Sequence, residues 1–314
     1  MALPHYSLVT RTQVANAALK DGRVSPKTFT PDFVEVDPLI AAFRRMVRKH
    51  EFDITEMAIT TYMCAKAHGK NFTAIPVFIV RAFHHGAILV NKKAGVTKPS
   101  DLAGKKVGVN RGYTVTTGVW ARGIMQDEYG LDLSKVQWML SGDEHVEEYK
   151  APGNVQPIGE GKKMEDMLIS GELAAAIGVS VDHPDVGPLI PDAEAAGFAA
   201  LKSTGHYPIN HLIVIKDELI AANPGLATDV FNAFAEAKQL YVNDLKAGKV
   251  ELKGDAAMHK RVMDITGGDP MPYGLKSNEK NIMDLIAHAK TQKILSGNEK
   301  LEDLFAKETL KLEG

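Results

Sequence analysis

Short runs rich in β-branched residues alternate with segments of helical spacing from residue 6 to residue 215, and beyond that point the strand-like runs stop. This asymmetry constrains the fold more than any single motif. Stretches 6–10, 33–36, 52–54, 73–80 and 87–90 read as strands, interleaved with helices at 14–19, 38–50 and 60–68. In 38–50 the apolar residues Leu39, Phe43, Met46 and Val47 recur close to helical spacing. The pattern breaks at 92–104, where Pro99-Ser100-Asp101-Leu102 reads as a short helical turn. A second alternation follows, with strands at 106–109, 136–139 and 174–179 and helices at 115–129 and 164–170. Residues 209–215 form one more apolar strand, after which 224–247, 256–265, 279–291 and 301–305 are helical. The rhythm predicts an α/β fold with helix-covered sheets.

A helical tail without strands must bury its apolar faces on a sheet built elsewhere in the chain. Two α/β lobes are therefore expected, the second inserted into the first: residues 1–93 plus 210–314 in lobe 1, and 94–209 in lobe 2. A ligand cleft is expected between them, where the carboxyl ends of both sheets meet. A length of 314 residues agrees with two domains.

Lysine and arginine total 37 against 39 acidic residues, a formal charge of −2, which argues against a nucleic-acid partner bound through a broad basic face. It leaves room for a small anion held by a few local cations. The single cysteine, Cys64, allows neither an intrachain disulfide nor a cysteine metal cluster. No apolar run approaches the roughly 20 residues of a membrane span. The opening Met-Ala-Leu-Pro-His-Tyr-Ser has neither a basic nor an apolar leader region, so a cytoplasmic protein is expected. Homo-oligomerisation is left open.

Polar groups cluster directly after the expected strands. Thr10-Arg11-Thr12 follows the first, and Glu56 follows 52–54. Arg81, His84 and His85 lie between two β-rich runs, where a pair of imidazoles beside an arginine suits proton transfer. Arg111, Tyr113, Thr114, Thr116 and Thr117 open a helix whose first N–H groups and dipole favour an anion, unless one threonine only caps it. Glu56 either accepts a hydrogen bond from a ligand or caps the following helix. Asp182 and His183 follow 174–179, and 206–211, including His211, either line the cleft or fix the hinge. Asp143-Glu144-His145-Val146-Glu147-Glu148 reads as a solvated acidic loop rather than a metal site. The phosphate-loop, nucleophile-elbow and dinucleotide fingerprints are absent.

Five segments in matching order resemble 4,5-dihydroxyphthalate decarboxylase-like proteins: Lys20-Asp21-Gly22-Arg23-Val24, Phe52-Asp53-Ile54-Thr55-Glu56-Met57, Ala74-Ile75-Pro76-Val77-Phe78, Val119-Trp120-Ala121-Arg122-Gly123-Ile124 and Gln126-Asp127-Glu128-Tyr129-Gly130. The resemblance spans most of 6–215. It implies a two-lobed fold like that of type II periplasmic binding proteins, and decarboxylation of a hydroxylated aromatic dicarboxylate. It also implies that Arg11, Glu56, Arg81 and His85 face the ligand. In that scheme Glu56 accepts at the phenol, and His85, with His84 in reserve, delivers a proton to the ring carbon. Arg11 and Arg81 hold carboxylates. The phenol serves as its own electron sink, so no cofactor is expected, and no set of residues demands a metal. Two further readings are a solute-binding protein for a small aromatic carboxylate and a synthase-like relative of the same fold.

Overall fold

The computed structural model describes residues 2–314. Its strands are β1 (His5–Val9), β2 (Thr30–Phe33), β3 (Ile54–Ala58), β4 (Phe72–Arg81), β5 (Ile88–Asn91) and β6 (Lys106–Val109). They continue as β7 (Gln137–Leu140), β8 (Val155–Pro157), β9 (Ala175–Ile177), β10 (Val186–Pro188) and β11 (Ile209–Lys216). The helices are α1 (Ala17–Lys20), α2 (Ile40–Lys49), α3 (Ile59–Ala67), α4 (Thr116–Asp127) and α5 (Met164–Ser170). The rest are α6 (Ala193–Thr204), α7 (Asp217–Ala222), α8 (Leu226–Lys246), α9 (Asp255–Thr266) and α10 (Glu279–Thr291).

Two α/β units result. Met1–Arg81, Ile209–Met283 and Asn298–Gly314 form the first, and Ala82–Pro208 with Asp284–Gly297 form the second, inserted into the chain of the first. The first division falls at 81/82 rather than at the expected 93/94, because β5 pairs antiparallel with β9 and β10 in the second unit's sheet. Residues 284–297 also go with the second unit. There the Gln292 side chain accepts from Arg122 Nε at 2.7 Å and donates to the Val119 carbonyl at 2.9 Å.

The first sheet has the order β2-β1-β3-β11-β4. β1 runs parallel to β2 and β3, and β11 runs antiparallel to β3 and β4. The carboxyl ends of β1, β3 and β4 therefore share one edge with the amino end of β11. The second sheet, β10-β5-β9-β6-β7-β8, is parallel from β9 to β8 and antiparallel at β5 and β10. Both sheets are thus mixed, a point that alternation of strands and helices cannot reveal.

Local differences from the sequence pattern have local causes. β2 lies at 30–33 because its pairing with β1 runs from His5↔Thr30 to Leu8↔Phe33. β3 extends to 58 because β1 and β11 flank it on both sides, so Glu56 lies inside a strand rather than after one. β8 and β10 escape the pattern as three-residue edge strands, each ending in a proline whose missing N–H is tolerated at an edge.

Apolar stripes fasten the helices. α2 buries Ala42, Phe43, Met46 and Val47, and ends where His50 turns left-handed and returns its N–H to the Met46 carbonyl at 2.9 Å. Each such large side chain contributes roughly 1.5–3 kcal/mol by leaving water. The long α8 buries Val230, Phe231, Phe234, Ala237, Tyr241, Val242 and Leu245. Its amino end is capped from the chain terminus: the Glu308 carboxylate accepts from the N–H groups of Gly225 and Ala227 at 3.0 and 2.9 Å. No helix among the described residues is long and apolar enough to cross a membrane.

His259 of α9 is buried, with Nδ1 2.9 Å from the Tyr241 hydroxyl. Burial lowers its pKa to about 4 against the partial opposition of Asp255 and Asp269. The unfolded chain binds this proton below about pH 6.5 while the folded chain refuses it, so stability is full above that value and falls toward pH 4. Across that window the wild type is expected to lose on the order of 3 kcal/mol more than His259→Gln in denaturant unfolding. Equal pH slopes for the two proteins would contradict this.

Candidate functional site

Glu56 stands opposite Ile213 of β11 in the first sheet, and its side chain has no exposed surface. A buried carboxylate is tolerated only when its oxygens are satisfied. Here the Thr10 hydroxyl donates at 2.8 Å, the Arg11 N–H at 3.2 Å and the Gln13 amide at a long 3.5 Å. The fourth partner is His211, whose Nδ1 lies 2.7 Å from Oε1. His211 precedes Ile213 by two residues on β11, so the alternation of strand side chains puts it on the same face as Glu56. Its imidazole packs edge-on against Phe43 of α2, with ring centroids 5.1 Å apart. The His211 side chain is 21% exposed.

The turn after β1 is tied down to serve this pair. Asn16 Nδ2 donates to Thr10 Oγ1 at 3.1 Å and to the Arg11 carbonyl at 3.0 Å, while its Oδ1 accepts the Gln13 N–H at 2.8 Å. Lys20 Nζ donates to the Thr10 carbonyl at 2.9 Å and pairs with Glu35. The side chains of Arg11 and Thr12 remain exposed, and Val14 beside them is an exposed apolar group. Arg81 closes β4 at the same sheet edge. Its Nη2 donates to the Pro272 carbonyl at 3.0 Å and to Asn278, which in turn donates to the carbonyls of Pro272 and Gly274.

The remaining candidates lie in the second unit. His84 and His85 are both buried. His85 Nε2 sits 3.0 Å from Glu128 at the end of α4, and its Nδ1 is enclosed without a hydrogen-bond partner. His183 Nδ1 accepts the Asp185 N–H at 3.2 Å, which shapes the entry to β10. Arg111 is exposed with a left-handed φ of 71°, and its N–H goes to Ser141 Oγ at 2.8 Å.

The amino end of α4 holds a carboxylate of the chain itself. Glu144 accepts the N–H groups of Tyr113 and Thr114 (the latter at 3.2 Å) and the Thr114 hydroxyl at 2.6 Å. Gly112 makes room for it, since a Cβ there would stand 2.6 Å from a Glu144 oxygen. The acidic loop is thus not merely solvated. Thr116 is buried and Thr117 partly so in the first turn of α4. Behind them Arg122 is fully buried, stacked 3.8 Å over the Tyr113 ring and donating to the Tyr113 carbonyl at 2.6 Å. Burial lowers the Arg122 pKa and raises that of the Tyr113 phenol.

Glu56, His211 and the Arg11 backbone meet in the first unit, with Thr12 next in the chain and Arg81 along the edge. The sequence reading passes over Gln13, names Thr10 only as a polar group after the first strand, and gives Glu144 and Glu128 no partner. The hint for Thr10 is its register: Val9 pairs with Thr55, so the next residue falls beside Glu56. Among the described residues no group of three or more His, Cys, Asp or Glu side chains is arranged to hold a metal ion.

No family model matches the chain. Whole-protein relatives do. The 4,5-dihydroxyphthalate decarboxylase of Comamonas testosteroni is 29% identical over 304 residues, covering 91% of this chain and 92% of that protein. The enzyme of the same name from Pseudomonas putida is 32% identical over 204 residues, 60% of this chain and 78% of that protein. Among solved structures, the periplasmic aliphatic sulphonate binding protein of Escherichia coli superposes with a TM-score of 0.52 at 11% identity, covering 97% and 92% of the two chains. A Candida albicans protein with the generic periplasmic binding protein fold gives 0.53 at 12% identity, covering 99% of each.

Glu144→Ala removes a charged acceptor from the Tyr113 and Thr114 donors. A loss of about 2 kcal/mol in unfolding free energy is expected. An unchanged denaturant midpoint would show that the carboxylate contributes nothing to holding this loop.

Proposed function

The chain belongs to the 4,5-dihydroxyphthalate decarboxylase family, and on that premise we propose that it removes one carboxyl group, as CO2, from a hydroxylated aromatic dicarboxylate such as 4,5-dihydroxyphthalate. The observation that carries this reading is the buried Glu56 carboxylate bonded to a partly exposed His211 beside the exposed Arg11. Capture of a carboxylate needs donors alone, whereas a carboxylate–imidazole pair adds a group able to move a proton near neutral pH.

The substrate has a hydroxyl para to the carboxyl that departs. Electron density from the phenol allows a proton to add at the carbon bearing that carboxylate. The dearomatised intermediate then expels CO2 and recovers its aromatic ring. Arg11, with Thr12, binds the carboxylate that stays, and Val14 offers apolar contact to the ring. Arg81 supports the same edge. Such clamps convert binding energy into alignment.

Incubation of the purified protein with 4,5-dihydroxyphthalate, with released CO2 and thermal stabilisation read together, tests the proposal. The expected outcome is gas evolution, with 3,4-dihydroxybenzoate as product. Ligand at about a hundredfold excess over Kd is expected to add about 2.7 kcal/mol of stability. Stabilisation without CO2 favours a binding protein, the activity named for the Escherichia coli structural neighbour. Absence of both signals would overturn this substrate class. Arg11→Ala is expected to weaken substrate binding about tenfold or more, checked by calorimetry.

A further inference from the structure

We infer that His211 is the residue that exchanges a proton with the substrate, and that Glu56 is a positioning residue acting only through it. The assignment rests on the decarboxylase reading above and departs from the sequence-based scheme, in which Glu56 touches the phenol and His85 supplies the acid.

Exposure separates the two members of the pair. The Glu56 side chain has none, and its oxygens are taken by Thr10, Arg11, Gln13 and His211. A ligand atom reaching that carboxylate would have to displace the turn after β1, which Asn16 and Lys20 hold in place. His211 retains 21% exposure, and its two nitrogens differ in duty. Nδ1 is bound to Glu56, while Nε2 has no hydrogen-bond partner among the described residues and is not enclosed. The edge-on contact with Phe43 fixes the plane of the ring, so Nε2 keeps one direction. Carboxylate, tautomer and packing therefore leave one nitrogen for chemistry.

His85 has the opposite arrangement. It is only 1% exposed, its Nε2 meets Glu128, and its Nδ1 is shut in. An imidazole so enclosed offers a substrate neither nitrogen.

The step balances without a co-reactant. His211, holding a proton on each nitrogen, carries a positive charge that the adjacent Glu56 carboxylate complements. Nε2 gives its proton to the ring carbon that bears the departing carboxylate. The carbon–carbon bond breaks, its electron pair returns to the ring, and CO2 leaves. One proton is consumed per CO2, and Nε2 is reprotonated from water. Nothing is oxidised or reduced, and Glu56 stays anionic throughout.

The test compares CO2 release and substrate affinity in wild type, His211→Gln, Glu56→Gln and the double variant. His211→Gln is expected to lose at least a hundredfold in kcat with Kd changed less than about threefold. Glu56→Gln is expected to lose roughly tenfold or more, and to cause no further loss in the His211→Gln background, because a positioning residue has nothing left to position. Added imidazole is expected to restore part of the kcat of His211→Ala, which a merely structural histidine would not allow. If those variants fail to fold, His5→Gln protein with 15N-labelled histidine, which lacks the exposed imidazole bonded to Asp32, gives a separate reading: 3,4-dihydroxybenzoate is expected to shift an Nε2 signal of the imidazole whose Nδ1 is bonded to a carboxylate and whose other nitrogen exchanges with water. A full-rate His211→Gln beside an active wild type, multiplicative losses in the double variant, or histidine signals unmoved by product would overturn the assignment alone. A wild type that releases no CO2 would overturn the decarboxylase reading, and the assignment with it.

Discussion

A carboxylate inside a β-sheet is the feature around which the first unit is organised. Glu56 sits between β1 and β11, where a charge without partners would cost several kcal/mol. The donors that offset this cost come from three places in the chain: the turn after β1, the first helix approach through Gln13, and β11 more than 150 residues later. Satisfying one side chain therefore fixes the conformation of the Arg11 turn and the rotamer of His211 at once. The groups suited to meeting a ligand are placed as a by-product of keeping Glu56 bonded.

The second unit solves a related problem in the reverse direction. The first turn of α4 presents unpaired N–H groups, an arrangement that commonly receives an anionic ligand. Just before that turn, the N–H groups of Tyr113 and Thr114 already meet an anion of the chain itself, Glu144, for which Gly112 leaves space. Arg122 lies beneath, stacked on Tyr113 and bonded to Gln292. Of the groups read from the sequence as ligand donors, Tyr113 and Thr114 bond the Glu144 carboxylate, while Thr116 and Thr117 lie in the first turn of α4.

The solved neighbours show likeness of fold alone, and likeness of fold does not give activity. What favours a decarboxylase here is family membership together with a hydrogen-bonded carboxylate–imidazole pair at the sheet edge. Sulphonate capture by the Escherichia coli neighbour asks for donors. Proton delivery to carbon asks for a donor whose orientation is enforced, and the Phe43–His211–Glu56 stack enforces it.

Much of this was legible in the chain before any coordinates. Periodicity located 106–109 and 164–170 to the residue and the helical tail to within two or three, because burial of one face imposes spacing on the residues themselves. The insertion of one unit into the other followed from a tail that lacked a sheet of its own. Residue chemistry marked Arg11, Glu56 and His211 as polar groups near strand ends. Partnership between side chains came from the packing of distant segments. That β11 runs antiparallel beside β3, putting His211 diagonal to Glu56, depends on strand order, which no local spacing encodes. The same holds for Glu128 meeting His85 and Glu144 meeting Thr114: hydrogen bonds reach about 3 Å through space, while sequence records only distance along the chain.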